Sequence, residues 1–379
     1  MQKKIIALAI ASALTVPAVA MAEGGNVSLY GQVNGSVDIA NDGDPAGSTT
    51  NNKFVNNSSR LGVKGSEDLG GGLTAVFQAE GDLGVSGETS FGFTRNTYLG
   101  VTSADYGTAL VGNHDTPYKI STRGLDLFAD TKAADNRGLM GNGAHDARLK
   151  NAIAYISPSF SGVTVAAAGA FGAESGSNAP MEKKGSALSL AGMYDAGPIY
   201  ATLAYQKIRL GTAGTGTLGT DGDLAGALDS LTAASAGTFL TADDELKAVK
   251  LGGSYTMDAF KVNAVVEKVT SHLNWAPGTD DLTNTNLYLG AKYSLGASDA
   301  VKVAYTKRGG LSLGSSSVKE LDKATQVSVG YDHDMSKRTS VYALYTKVND
   351  SGFIAGETSS SDVQNCDPSV FSIGMKHAF

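Results

Sequence analysis

Apolar and polar residues alternate with a period of two along much of this chain. The clearest case is the last stretch, SVFSIGMKHAF, at residues 369–379. Every second position holds Phe371, Ile373, Met375, His377 and Phe379, and Ser, Gly, Lys and Ala fill the places between them. Strict alternation over this length predicts a strand with one apolar face. A chain terminus usually frays in water, so an aromatic final residue indicates that this strand packs against something apolar.

The same alternation recurs in about sixteen segments of roughly ten residues each, the length of strands that cross a bilayer at a tilt. In chain order the segments are 26–40, 53–65, 72–84, 91–102, 107–113, 148–156, 162–172, 185–195, 198–209, 246–257, 259–270, 284–294, 300–308, 325–333, 338–347 and 369–379.

The connectors between these segments have two lengths, which tend to alternate. Short connectors carry turn residues, at 67–72, 103–107, 195–198, 257–259, 296–300 and 333–337. Long connectors are polar and rich in Gly, Ser and Thr, at 41–52, 114–147, 173–184, 210–245, 271–283, 309–324 and 348–368. Short turns at one end and long loops at the other are typical of an up-and-down membrane barrel.

Large charged residues on the polar face decide between two all-β architectures. Arg60, Lys64, Glu80, Lys250 and Lys302 all need water. A closed barrel in lipid gives the apolar face to lipid and the polar face to a lumen, and it leaves no open edge. We therefore predict an all-β, antiparallel transmembrane barrel of about sixteen strands with short periplasmic turns and long extracellular loops. A soluble secreted adhesin or lectin remains the alternative, and it would partition into the periplasm or medium.

The first residues, MQKKIIALAIASALTVPAVAMA, combine two lysines, an apolar run and a small-residue cleavage pattern. They predict a signal peptide at 1–22, followed by one barrel domain at 23–379. Loss of Lys3 and Lys4 changes the formal net charge from −7 to −9. A net negative charge argues against a nucleic-acid partner, because nucleic-acid-binding domains usually carry a basic face. The lone cysteine, Cys366, has no internal disulfide partner.

Five fragments, in this order and spacing, make the chain resemble the general porins of the Gram-negative outer membrane. They are VSLYGQVNG (27–35), SSRLGVKGSEDLGGGLTAVFQAE (58–80), FTRNTYLGV (93–101), DARLKNAIAYISPSFSGV (146–163) and FSIGMKHAF (371–379). The resemblance implies a sixteen-stranded barrel that assembles as a homotrimer among outer-membrane lipid and lipopolysaccharide. It also implies that the third long loop, 114–147, folds into the pore and constricts it.

The resemblance further implies a basic wall at the constriction, formed by Arg60, Arg95 and Arg148. Alternation adds Lys64, because it shares a strand face with Arg60. Arginine suits the role because it stays charged at any relevant pH. Glu80 matches the wall carboxylate that pairs with these arginines in the family.

The facing acids are expected from the loop, at Asp126, Asp130 and Asp135. Cations opposite carboxylates across a narrow waist would sort ions by charge and polar solutes by size and dipole. Gln32 is neutral where several relatives carry a lysine, so the sign of the ion preference stays open.

These features predict a channel for passive diffusion of small hydrophilic solutes and ions. A substrate-specific porin is the nearest alternative, although the third loop has only Tyr118 and Phe128 as aromatic residues. We predict no enzymatic activity, because the sequence shows no nucleophile–base constellation on the barrel. The GTGTLG match at 214–219 lacks the βαβ context of a nucleotide site, and the five histidines lack zinc-site spacing, so no cofactor or metal is predicted.

Overall fold

The computed structural model describes residues 26–43, 48–87, 92–140, 146–171, 185–209, 245–272, 281–313, 316–321, 323–350 and 367–379. The predicted signal peptide at 1–22 lies outside the described residues. No helix in the described part of the chain is long and apolar enough to cross a membrane.

Sixteen antiparallel strands form one closed sheet, which confirms the predicted barrel. They are β1 (Asn26–Asn41), β2 (in two pieces, Thr50–Asn56 and Arg60–Gly70), β3 (Leu73–Asp82), β4 (Thr97–Ser103), β5 (Gly107–Asp115), β6 (Arg148–Ile156), β7 (Val163–Phe171), β8 (Ser186–Ala196), β9 (Ile199–Arg209), β10 (Glu245–Met257), β11 (Phe260–His272), β12 (Leu282–Ser294), β13 (Asp299–Arg308), β14 (Ala324–Asp334), β15 (Thr339–Asp350) and β16 (Ser369–Ala378). A short hairpin, Leu311–Leu313 with Ser316–Leu321, extends the connector between β13 and β14.

Several strand ends differ from the sequence-based bounds by a few residues, and two of these differences lie beside the arginines of the wall. The second segment is interrupted at 57–59, where Ser58 adopts a φ of 62° and both pieces of β2 still pair with β1. The fourth segment begins only at Thr97, so Arg95 precedes β4 instead of lying within it. Both are places where the apolar alternation is weak or broken by polar residues.

The barrel closes between its first and last strands. Gln32 of β1 stands opposite Ala378 of β16, and Asn41 stands opposite Ser369. Beyond β16, Gly31 and Phe379 exchange two backbone hydrogen bonds of 3.0 and 3.1 Å, and the Phe379 ring packs over Gly31. The final aromatic residue therefore packs on the neighbouring strand, on the face turned to lipid.

The two strand faces have the environments that the alternation predicts. Leu29, Leu203 and Leu251 point outward and are 59%, 58% and 61% exposed. Lys250 and Glu267 point inward and are buried. Large apolar side chains on the outer surface are stable because lipid covers them.

The segment after β5 lies inside the barrel, and we call residues 116–140 the inner loop. It contains α1 (Pro117–Arg123), which Thr116 caps by accepting a hydrogen bond from the Lys119 amide, and α2 (Asn136–Met140). The inner-loop carbonyls accept hydrogen bonds from wall asparagines on β1, β11 and β12. Because β1 lies several strands away from β11 and β12 around the barrel, these contacts place the inner loop across the lumen.

Candidate functional site

Glycines on the inner face of the wall make room for the inner loop. A Cβ atom at Gly252 would lie 2.7 Å from Cδ1 of Leu125, and one at Gly330 would lie 2.8 Å from Cε1 of Phe128. Both distances are far below van der Waals contact. Leu125 and Phe128 of the inner loop therefore pack directly against the backbone of the wall strands at these glycines, and Phe128 is fully buried there.

A cluster of buried polar residues binds the first part of the inner loop to the wall formed by β10, β11 and β12. We call it the anchor cluster. The Lys250 Nζ lies 2.5 Å from Oδ1 of Asp146 and 4.0 Å from the centre of the Tyr118 ring. The Tyr118 hydroxyl donates to Oε1 of Glu267 at 2.5 Å, and Asn286 donates to Oε2 of the same carboxylate at 2.9 Å. Buried charges require partners of this kind, since an unpaired one is strongly destabilising.

On the wall across the lumen, Arg60 and Arg95 share one carboxylate. The Arg95 Nε lies 2.6 Å from Oε1 of Glu80, and its Nη1 lies 3.0 Å from Oδ1 of Asp82. The Arg60 Nε lies 3.8 Å from Oε2 of Glu80. Glu80 thus pairs with two of the arginines that the sequence singled out.

Arg60 also reaches the inner loop, because its Nη1 lies 3.4 Å from Oδ2 of Asp130. The wall and the loop are therefore joined by an ion pair whose partners are still partly exposed to the lumen, with side chains 25% and 22% exposed.

Arg148 is close to the other two arginines along the wall but is mostly buried. Its Nε donates to Oδ1 of Asn96 at 2.8 Å and lies 3.2 Å from Oδ1 of Asp115. The Lys119 Nζ, from α1, lies 3.0 Å from the same Asp115 oxygen. Arg60 on β2, Arg95 just before β4 and Arg148 on β6 therefore follow one another around the wall, and each faces a carboxylate.

Within the inner loop, Arg123 lies within 4 Å of all three predicted acids, and its contacts with Asp130 and Asp135 are the short ones. Its Nη2 lies 3.0 Å from Oδ1 of Asp130 and 2.7 Å from Oδ2 of Asp135. Although burial by itself would raise the pKa of Asp130, Arg60 and Arg123 hold that pKa well below its usual range. Arg123 likewise lowers the pKa of Asp135 against the effect of burial. Both carboxylates are therefore charged at neutral pH.

Asp126 is placed differently from the other two loop acids. It is 6% exposed, and its two oxygens accept hydrogen bonds from the backbone amides of Phe128 and Asn136. Burial, together with the nearby Asp135 carboxylate, raises the pKa of Asp126 to about 7. Asp126 shapes the inner loop and does not face lumen water.

Lys64 shares the inner face of β2 with Arg60, as the alternation predicts, but it is not part of the arginine group. Four residues of strand, about 13 Å, separate the two positions. The Lys64 Nζ instead lies 5.0 Å from the centre of the Tyr30 ring, toward the short-turn end of the barrel.

Sequence reasoning missed four charged members of this region. Asp82 has the same inward parity as Glu80, so the alternation itself could have identified it. Asp115 has the parity of the outward Val111, and only the register shift between Gly112 and His114 turns it toward Arg148. Lys119 and Arg123 lie in the inner loop, where no strand period applies, and only the folded loop brings them to their carboxylates.

Comparisons with known proteins agree with this architecture. The sequence profile of the Gram-negative porin family matches residues 7–352. The outer membrane porin protein 32 of Delftia acidovorans is 29% identical over all of both chains, and the major outer membrane protein P.IB of Neisseria gonorrhoeae is 26% identical over 90% of this chain and 91% of its own.

Solved structures show the same fold. The anion-selective porin from Comamonas acidovorans superposes with a TM-score of 0.71 at 23% identity, over 94% of this chain and 100% of its own. The in-vitro folded OmpT of Vibrio cholerae in its trimer form gives 0.64 at 18% identity, over 94% and 100%. The chain belongs to the Gram-negative porin family, and it forms a channel for passive diffusion in the cell outer membrane.

Proposed function

We propose that the pore is narrowed and made selective between the arginine wall, formed by Arg60, Arg95 and Arg148, and the inner-loop acids Asp130 and Asp135. The observation that carries this proposal is the contact from Arg60 to Asp130, in which wall cation and loop anion approach to 3.4 Å while remaining partly open to the lumen. An ion or polar solute that passes this point meets opposite charges on its two sides, so charge, size and dipole all affect its passage.

The described aromatic residues of the inner loop favour a general pore over a substrate-specific one. Tyr118 and Phe128 are both fully buried against the wall, so neither offers a ring face to a passing solute. Small hydrophilic solutes and ions are the class that a lumen lined by charged and amide groups admits.

Carboxylates next to the arginine wall reduce the attraction of the wall for anions. Glu80, Asp82 and Asp115 lie within 4 Å of the guanidinium groups, so the wall is an alternating array of charges and not a purely basic surface. At pore dimensions comparable to the Debye length of about 8 Å, such an array still produces a local transverse field. Because its carboxylates offset much of its positive charge, the arginine wall contributes only modestly to a net preference for anions.

We propose further that the mature protein begins at Glu23 and assembles as a homotrimer in contact with outer-membrane lipid and lipopolysaccharide. The trimer form described for the Vibrio cholerae relative supports this assembly. Intact mass of protein extracted from outer membranes gives the first residue, and native mass spectrometry in detergent gives the number of subunits. A first residue within 1–22, or a monomer under native conditions, would contradict this part.

Planar-bilayer recordings in a KCl gradient test the arginine wall. Arg95→Ser leaves Glu80 and Asp82 without their closest cation, so the reversal potential is expected to move toward cation preference. The triple change of Arg60, Arg95 and Arg148 to serine is expected to move it further and to admit larger sugars in liposome swelling.

The matched control for Arg95→Ser is Arg338→Ser, which removes the same charge from an exposed turn between β14 and β15. It is expected to leave the reversal potential unchanged. Equal shifts from the two variants would show that net charge, and not a local wall, sets the preference. An unchanged triple variant would place the selective narrowing elsewhere.

A further inference from the structure

Three lysines stand in one line across neighbouring strands on the lumen side of the barrel. Lys261 of β11 is directly opposite Lys292 of β12, and Lys292 is directly opposite Lys302 of β13. All three occupy inward positions of their strands and are partly exposed. We call Lys261, Lys292 and Lys302 the lysine row.

The lysine row is only partly neutralised by the protein. The Lys302 Nζ lies 2.9 Å from Oδ1 of Asp332. Lys261 and Lys292 make no ion pair within 4 Å with any residue that the structure describes, although the Asp195 carboxylate is close enough to influence Lys261. Like charges directly opposite each other on one sheet face repel, with Cβ atoms about 4.5–5.5 Å apart.

The row borders the narrow part of the pore. Asn263, two residues along β11 from Lys261, donates to the Leu125 carbonyl of the inner loop. The Lys302 Nζ lies 4.7 Å from the centre of the Phe128 ring of the same loop. In β11, β12 and β13 the lysines lie toward the short-turn ends, so the row faces the lumen on the periplasmic side of the inner loop.

We propose that the lysine row is a binding site for small doubly charged oxyanions, with inorganic phosphate as the probe of the class. Each ammonium group offers three donors, and a tetrahedral oxyanion offers acceptors on every side. One dianion between Lys261 and Lys292 accepts hydrogen bonds from both and removes their repulsion. A chloride ion carries a single charge and neutralises only one of the two lysine charges.

The site has a consequence for transport. A dianion held beside the inner loop raises the local concentration of that class at the narrowing and slows the passage of other anions while it is bound. The proposal rests on the channel function only in that the pore must conduct, and it does not depend on the arginine wall.

The test is block of KCl current by phosphate added at about pH 8, where phosphate is mainly the dianion. Conductance in KCl alone is measured first, so that loss of the channel itself is recognised separately. Phosphate is expected to reduce the current in a saturable manner, more strongly from the periplasmic side. In Lys292→Gln the concentration for half-block is expected to rise about tenfold, equivalent to about 1.4 kcal/mol.

Lys292→Arg keeps the charge and donors and is expected to retain block within about threefold of wild type. Lys268→Gln removes one charge from the outward face of β11 and is the matched control, expected to bind phosphate as wild type does. Lys261→Gln repeats the test should Lys292→Gln fail to fold. The proposal is overturned by absence of saturable block in wild type, or by equal effects of Lys292→Gln and Lys268→Gln.

Discussion

Arg60 on the wall and Asp130 on the inner loop are joined at 3.4 Å, across a distance of seventy residues in the chain. Asp130 makes this contact from a left-handed backbone conformation, with a φ of 62°, and it also accepts from Arg123 at 3.0 Å. The loop acid therefore meets one arginine from the wall and one from its own loop. Aspartate and asparagine adopt this backbone region more readily than other non-glycine residues, so the conformation aims the carboxylate at modest cost.

Asp130→Asn tests the charge of that contact without disturbing the backbone. The variant leaves Arg60 and Arg123 with one fewer anion in the narrowing, so the reversal potential in a KCl gradient is expected to move toward anion preference. Asp367→Asn, outside the barrel strands, is the control for the same charge change. A shift toward cations would contradict the proposed placement of Asp130 beside the ion path.

Lys250 is predicted to hold the inner loop to the wall. Lys250→Met leaves the buried Asp146 and Glu267 carboxylates without their cation, which should destabilise the folded barrel by about 3–5 kcal/mol. The measurement is the temperature at which the folded band on a gel shifts to the unfolded position. Lys247→Met, on the outward face of the same strand, is the control, and a second change of Asp146 to Asn should restore part of the loss.

Asp126 predicts a pH effect on stability with a definite sign. Burial and Asp135 raise its pKa in the folded protein to about 7, above the value near 4 of an unfolded aspartate. Between about pH 4 and 7 the folded chain therefore holds a proton that the unfolded chain lacks, so Asp126 makes a contribution to stability that increases as pH falls through 7.

Thermal unfolding in detergent at a series of pH values measures this contribution. Asp126→Asn is expected to flatten the pH dependence of the unfolding temperature between about pH 5 and 8. Asp130→Asn is the control and should retain it, because its depressed pKa keeps Asp130 charged throughout that window. An unfolding temperature that rises with pH specifically in the wild type would give the opposite sign and reject the assignment.

The two faces of a strand should differ in their tolerance of charge. Leu251→Arg puts a cation on the lipid face of β10 and should cost about 2–4 kcal/mol if it lies near the bilayer midplane. Ser254→Arg, three residues along the same strand, puts the same cation on the lumen face and should cost little. The fraction of folded protein in outer membranes measures both, and equal losses would contradict the assignment of faces.

Removal of Phe379 is predicted to impair assembly more than conductance. The residue exchanges two backbone hydrogen bonds with Gly31 and covers it with its ring, so a chain that ends at Ala378 loses the last contacts between β16 and β1. Phe379→Tyr keeps the ring and backbone and is the control. The yield of folded protein in outer membranes is the measurement, and a normal yield of the shortened chain would refute the prediction.

The sequence by itself determined the strands, their two faces and the barrel. Alternation is a local property, because successive side chains of a strand point to opposite sides whatever the strand pairs with. One strand face carries large charged residues such as Arg60 and Lys250, and the other carries leucines. A closed sheet with water inside and lipid outside satisfies both faces. The final Phe379 belongs to the same pattern.

Only the tertiary structure decided which charges meet. Lys250 and Tyr118 are distant in sequence, and the alignment of Lys261 with Lys292 depends on a strand register that alternation alone does not specify. Asp126 and Asp130 are the same residue type four positions apart, yet one is buried against backbone amides and the other faces Arg60. The physical reason is that ion pairs depend on distances of a few ångströms between separate strands and loops, and those distances are set by the packing of the whole barrel.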